Sequence, residues 1–176
     1  DGAERKFKLV GLFNAYNLAA AYGAGRALGF AKDEVLDALA DARPVPGRFE
    51  QLRASDGTTA IIDYAHTPDA LEKVLTTILE TKPAESRVWC VFGCGGDRDK
   101  TKRPLMGRIA ERLADRIVVT SDNPRTENPE QIMDDIRQGL LQPDSATSIL
   151  DRREAIHWAI QKAEPGDVVL VAGKGH

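Results

Sequence analysis

Two short runs, Val88-Trp89-Cys90-Val91-Phe92 and Val168-Val169-Leu170-Val171, are apolar at every position. A strand reads that way when both its faces are covered, as in a parallel sheet lying between helices. Related runs at 59–63 and 116–120, and a short one near 148–150, alternate with amphipathic stretches. Leu71, Val74, Leu75, Ile78 and Leu79 recur at helical spacing, and segments from about 102 to 114 and 129 to 141 read the same way. Asn128 before Pro129 is a helix start, and Asp151 with Glu154 three positions on has capping-box spacing. The expected class is three-layer α/β, a Rossmann-like and mostly parallel sheet.

Ahead of this series lie two helix candidates, from about 14 to 29, where Gly29 is a natural stop, and from about 32 to 42. Pro44, Pro46 and Gly47 break both patterns, so residues 1–45 and 46–176 are expected to form separate units. A chain of 176 residues has room for one ordinary core and a small appendage. Its formal charge of -3 comes from interspersed acids and bases, with no long basic run, so nucleic acid is not an expected partner. No stretch approaches the roughly 20 apolar residues that cross a bilayer, and a cytoplasmic protein is expected. Cys90 and Cys94 fit neither a disulfide framework nor a metal site and are read as reduced thiols. The chain opens at Asp1 and stops in the polar turn Gly173-Lys174-Gly175-His176. Both ends read as cut, which makes this a fragment.

Open α/β sheets bind ligands beyond the carboxyl ends of their strands, so the residues after each strand carry the functional signal. Asp63-Tyr64-Ala65-His66-Thr67-Pro68 follows the first, Gly93-Cys94-Gly95-Gly96-Asp97-Arg98-Asp99 the second, Ser121-Asp122-Asn123-Pro124-Arg125 the third, and the terminal Gly-Lys-Gly-His the last. Each alone reads equally well as a turn. Together, on one edge, they describe a site for an anionic ligand, with glycines permitting close approach and arginines gripping carboxylate or phosphate. Arg98 stands where a dinucleotide fingerprint needs its third glycine, and Gly173-Lys174 lacks the spacing of a phosphate loop. Asp97, Asp99 and Asp122 are interleaved with Arg98, Lys100, Lys102 and Arg103, an arrangement that disfavours a metal. His66 is a candidate acid, base or stacking ring; His157, inside a helix, reads as packed or surface.

These four loops, in this order, resemble those of the Mur ligases over essentially the whole chain. Gly11 to Ala20 is similar to the end of that family's central ATPase domain, which implies that residues 1–45 are its small helical remnant, with Asn14 and Asn17 near adenine. Pro46-Gly47-Arg48-Phe49-Glu50 resembles the hinge into the C-terminal domain. The resemblance implies nucleotide contacts for Arg48, Asp63 and His66. Asp122-Asn123-Pro124-Arg125 resembles the tetrapeptide of the branch that adds meso-diaminopimelate, which carries a carboxylate that lysine lacks and that Arg125 could grip bidentately. Arg98, Asp122, Asn123, Pro124, Arg125 and Gly173 are thereby the expected amino-acid site.

The implied reaction is ATP-driven amide formation on UDP-MurNAc-L-Ala-D-Glu through an acyl phosphate, with Mg2+ and cationic side chains stabilising charge. The implied full-length enzyme is a monomer without nucleic-acid or membrane partners. Its triphosphate loop would precede Asp1, so the fragment is expected to be inactive alone. A stand-alone amino-acid or nucleotide sensor and a ligase adding another amino acid remain as alternatives.

Overall fold

The computed structural model describes residues 5–173 and divides the chain into two compact units, Asp1–Val45 and Pro46–His176. The terminal Lys174-Gly175-His176 lies outside the described residues.

In the first unit, α1 (Leu12–Ala27) and α2 (Lys32–Asp41) form a helical hairpin. It starts two residues earlier than expected from Asn14 and stops before Gly29, whose φ of 93° is the left-handed value that glycine adopts without strain. A Cβ on Gly25 would stand 3.0 Å from Cγ2 of Val35, so the glycine lets the helices approach. Val35 is the buried residue of α2; α1 has none, and Leu12 and Tyr16 are exposed.

The second unit is a six-stranded sheet in the order β1-β2-β6-β3-β4-β5: β1 (Glu50–Arg53), β2 (Thr59–Asp63), β3 (Val88–Phe92), β4 (Arg116–Val119), β5 (Ala146–Ser148) and β6 (Val168–Ala172). All neighbours run parallel except β1, which pairs antiparallel with β2 from Glu50 opposite Ile62 to Arg53 opposite Thr59. The doubly apolar runs are the interior strands β3 and β6, buried at every position.

Helix placement follows from the handedness of parallel crossovers. The chain moves across the sheet from β2 to β5 through α3 (Pro68–Thr81), α4 (Lys102–Leu113) and α5 (Pro129–Arg137), then reverses through α6 (Arg152–Lys162) to insert β6 between β2 and β3. Right-handed crossovers in opposite directions put α3, α4 and α5 on one face and α6 on the other. The pleat agrees: Trp89, Val91, Val118 and Val169 pack with Ala155 and Ala159 of α6, and the alternate residues of the same strands face away. The indole N–H of Trp89 donates to the Asp167 carboxylate at 2.9 Å, so the buried ring keeps no unsatisfied polar atom.

Three helices carry side-chain caps: Thr67 accepts from Ala70 N–H, Asn128 from Glu130 N–H, and Asp151 from Glu154 N–H, the forward half of the expected box. Two boundaries differ from expectation. Helix α5 ends at Arg137 rather than near 141, because a Cβ on Gly139 would lie 1.8 Å from the Pro104 carbonyl oxygen and the chain turns there against α4. Strand β5 occupies 146–148 rather than 148–150; Ile149 instead packs against the core under α6, and the Leu150 carbonyl accepts from Ser121 N–H.

Candidate functional site

All four parallel strands followed by unusual polar loops end on the same edge, β2, β6, β3 and β4 side by side. A cavity of about 440 Å3 opens there. It gathers Arg98, Asp122, Asn123, Arg125, Gly173 and His66 from the sequence-based candidates, and adds Lys102 from the start of α4. Three fixed cations, Arg98, Lys102 and Arg125, face two carboxylates, Asp99 and Asp122, so the lining suits a zwitterion with surplus negative charge.

Two loops build most of this wall and interlock. Gly96 N–H donates to the Asn123 carbonyl at 2.8 Å, and the Arg125 guanidinium donates back to the Gly96 carbonyl at 2.6 Å. A side chain on Gly96 would put its Cβ 1.9 Å from the Pro124 carbonyl oxygen, so this contact exists only with glycine. Pro124 thus shapes the loop without lining the cavity. Gly95 leaves room for the Arg125 guanidinium, whose Nη1 would stand 3.0 Å from an added Cβ. Asp97 and Arg125 both hold φ near +50°, a strained value for non-glycine residues that the surrounding hydrogen bonds sustain.

Beneath the loops sits Arg103, with no exposed side-chain surface. It donates to Glu127 at 2.8 and 3.0 Å and to Asp135 at 2.8 Å. Glu127 also accepts from Asp97 N–H at 2.6 Å and pairs with Lys100 at 3.0 Å; Arg103 foremost, then Lys100 and the Asp97 amide, hold its carboxyl down at about 2. The carboxylate of Asp97 accepts from the backbone and hydroxyl of Thr126, and Asp99 from those of Thr101. These acids are loop-building groups here, and the bases around them are committed too, Lys102 donating to the His66 carbonyl at 2.6 Å. Arg98 is exposed and makes no hydrogen bond or ion pair among the described residues, so its fork is available to a ligand.

At the β2 exit, the buried Asp63 accepts from Phe49 N–H and Ala65 N–H, both at 2.8 Å. Burial pushes its carboxyl above the ordinary range, although these two amides and Arg48 pull the other way. Asp63 therefore ties the 47–49 turn to the strand end. The Tyr64 and His66 rings stand 4.6 Å apart, and the Arg48 guanidinium lies 4.7 Å above the Tyr64 ring. Asn14 and Asn17 belong to the first unit, where Asn14 donates to the Val10 carbonyl and Asn17 to the Asn14 side chain. Cys90 and Cys94 are free and buried; burial raises their thiols to about 12 and about 11. No described helix is long and apolar enough to cross a membrane.

Missing from the sequence reading were Arg103 as a buried support and Lys102 as lining. Arg103 was detectable in principle, because it shares the helical stripe of Met106, Gly107 and Ala110, all buried.

A doubly wound sheet with a charged, glycine-shaped cavity at its strand exits defines a ligand-binding α/β domain. The sequence model of the family described as Mur ligase, glutamate ligase domain, matches residues 47–175, and the chain belongs to that family. The UDP-N-acetylmuramoyl-L-alanyl-D-glutamate--2,6-diaminopimelate ligase of Geobacillus thermodenitrificans is 54% identical over 96% of this chain and 34% of its own length. A solved structure of a ligase with that description, 44% identical, covers 98% of this chain and 35% of its own with a TM-score of 0.71. Escherichia coli FolC in complex with ADP is 27% identical, covering 91% of this chain and 36% of its own with a TM-score of 0.70. The chain spans about a third of the length of the relatives it matches.

Proposed function

We propose that this chain forms the amino-acid-binding part of a cytoplasmic, ATP-dependent ligase that adds meso-diaminopimelate to UDP-MurNAc-L-Ala-D-Glu in peptidoglycan synthesis. The carrying observation is the single cavity that brings Arg98, Asp122, Asn123, Arg125 and Gly173 together. The names of the relatives that match nearly all of this chain support the choice of amino acid.

The residues divide the work by charge. Arg98 and Arg125 offer forks to the two carboxylates of meso-diaminopimelate, while Asp122 offers a counter-charge to an ammonium. Asn123 and the Gly173 backbone fix orientation, presenting one amine to the activated carboxyl group of the precursor. The interlocked loops hold the cavity wall through their own hydrogen bonds, which lowers the ordering cost of binding.

Nucleotide and magnesium are implied by the family. The described residues fit the nucleotide in part, since Arg48, Tyr64 and His66 provide a cation and ring faces at the β2 exit. When bound, the nucleotide supplies the phosphoryl group that activates the precursor. Magnesium does not fit this chain alone: the described residues hold no cluster of three ligating side chains, and Asp97 and Asp99 serve their own loops. Phosphate activation is therefore assigned to other parts of the longer enzyme, as the length of the relatives suggests.

Calorimetry on the chain extended to the length of its relatives tests this reading. Lysine would leave the Arg125 fork without a carboxylate, a loss of roughly 1.5–3 kcal/mol, or about tenfold to a hundredfold in affinity. Arg125→Ala should remove most of that preference. Equal affinity of the unaltered protein for both amino acids sinks the proposal.

A further inference from the structure

The N-terminal turn of α6 approaches the cavity from the face of the sheet opposite α3, α4 and α5. Just before the helix, the Leu150 carbonyl accepts from Ser121 N–H and from the Thr120 hydroxyl, both at 3.3 Å, which anchors it to the β4 exit immediately ahead of Asp122. Two residues later, Nη2 of Arg152 donates to the carbonyl of Ala172 at 2.9 Å, the last residue of β6 and the one before Gly173. Strands β4 and β6 are not neighbours, since β3 separates them. Residues 150–152 thus bracket two walls of the cavity that the sheet does not join directly.

Arg152 carries a cost that the fold alone does not explain. Its Nη1 is buried without a hydrogen-bond partner among the described residues, and burial pulls the guanidinium below its ordinary range while the charge of Asp122 opposes that pull. A buried cationic donor left unsatisfied is expensive, and an aliphatic side chain at the same place would avoid the expense. The Asp122 charge is what such a cation can act on.

We propose that Arg152 is a positioning residue of the amino-acid site, fixing the Asp122 turn and the Gly173 turn relative to each other. This rests on the functional reading above for the identity of the ligand, but not for the geometry. Arg152 does not line the cavity, so its effect on ligand passes through the backbone it holds and through the field it places on Asp122.

The experiment uses the chain extended to the length of its relatives, carrying Arg152→Gln, with Arg152→Lys as a second variant. Titration with meso-diaminopimelate and with ADP is combined with amide resonances recorded without ligand. In Arg152→Gln, affinity for the amino acid should fall about tenfold and that for ADP should stay within about twofold, as expected for the loss of one charged buried contact at one end of the site. The Asp122 and Gly173 amides should shift while Val91 and Val169 in the core stay put. Lysine keeps the charge and can donate to the Ala172 carbonyl but lacks the planar fork, so its loss should be about threefold, smaller than that of glutamine. Should glutamine prevent folding, the lysine variant is judged by the same two measures. Unchanged amino-acid affinity, an equal loss for both ligands, or unmoved amides at 122 and 173 overturns the proposal. An unaltered protein that fails to bind meso-diaminopimelate refutes the functional reading instead, and the amide shifts alone then decide the role of Arg152.

Discussion

Replacing Arg103 with methionine is the sharpest probe of how this site is held together. The methionine fills similar volume on α4 but removes the side chain that hydrogen-bonds to both Glu127 and Asp135. Removing one partner of a buried ion pair costs about 3–5 kcal/mol, because the remaining charge is stranded. Glu127 and Asp135 keep 15% and 24% of their side-chain surface exposed, so water reaches them and the lower end applies. A loss of about 3 kcal/mol in a domain of this size corresponds to roughly 10–15 °C in Tm.

Circular-dichroism melts and urea unfolding at pH 7 measure it. Adding Glu127→Gln and Asp135→Asn to Arg103→Met removes the stranded charges and should recover part of the stability. The acid limb supplies an independent check. Glu127 is lowered from 4.5 to about 2 in the folded protein, so its pairing stabilises fully above the unfolded value and fades as pH falls towards the folded one. The advantage of the parent over Arg103→Met should therefore shrink between about pH 5 and pH 2. A Tm change below about 3 °C, or a triple variant no more stable than the single one, would refute the argument that a buried charge needs both its partners.

Two further outcomes follow from the packing. Gly96→Ala drives a methyl into the Pro124 carbonyl and should cost roughly 1–3 kcal/mol, as overpacking does, while weakening amino-acid binding more than ADP binding in the extended protein; unchanged urea midpoint and affinity would contradict the interlocked-loop geometry. Cys90 and Cys94, with thiols raised to about 12 and about 11, should resist a thiol-specific disulfide reagent at pH 8 in the native state and react on unfolding, and prompt native labelling would show that these side chains are not buried as described.

What the sequence disclosed and what it concealed divide along a physical line. The interior strands were legible because burial on both faces forces apolar residues at consecutive positions, as at Val88–Phe92. The edge strand Glu50–Arg53 was not, since it has one neighbour and three exposed positions, so nothing constrains its residues to be apolar. The strand-exit residues were legible for a related reason: Arg98, Asp122, Arg125 and Gly173 stand where an apolar run stops, and the rule for parallel sheets places every such stop on one edge. The supports of the site obey no local rule. Arg103 meets its carboxylates 24 and 32 residues away, and Arg152 meets the Ala172 carbonyl 20 residues on. A charged residue inside an apolar helical stripe does announce that a partner must exist, because burying it alone is too costly. It cannot say which carboxylate answers, since that depends on two loops closing over a glycine. The residues that line the cavity are thus written locally in this chain, whereas the stiffness that holds them together is a property of the folded sheet edge.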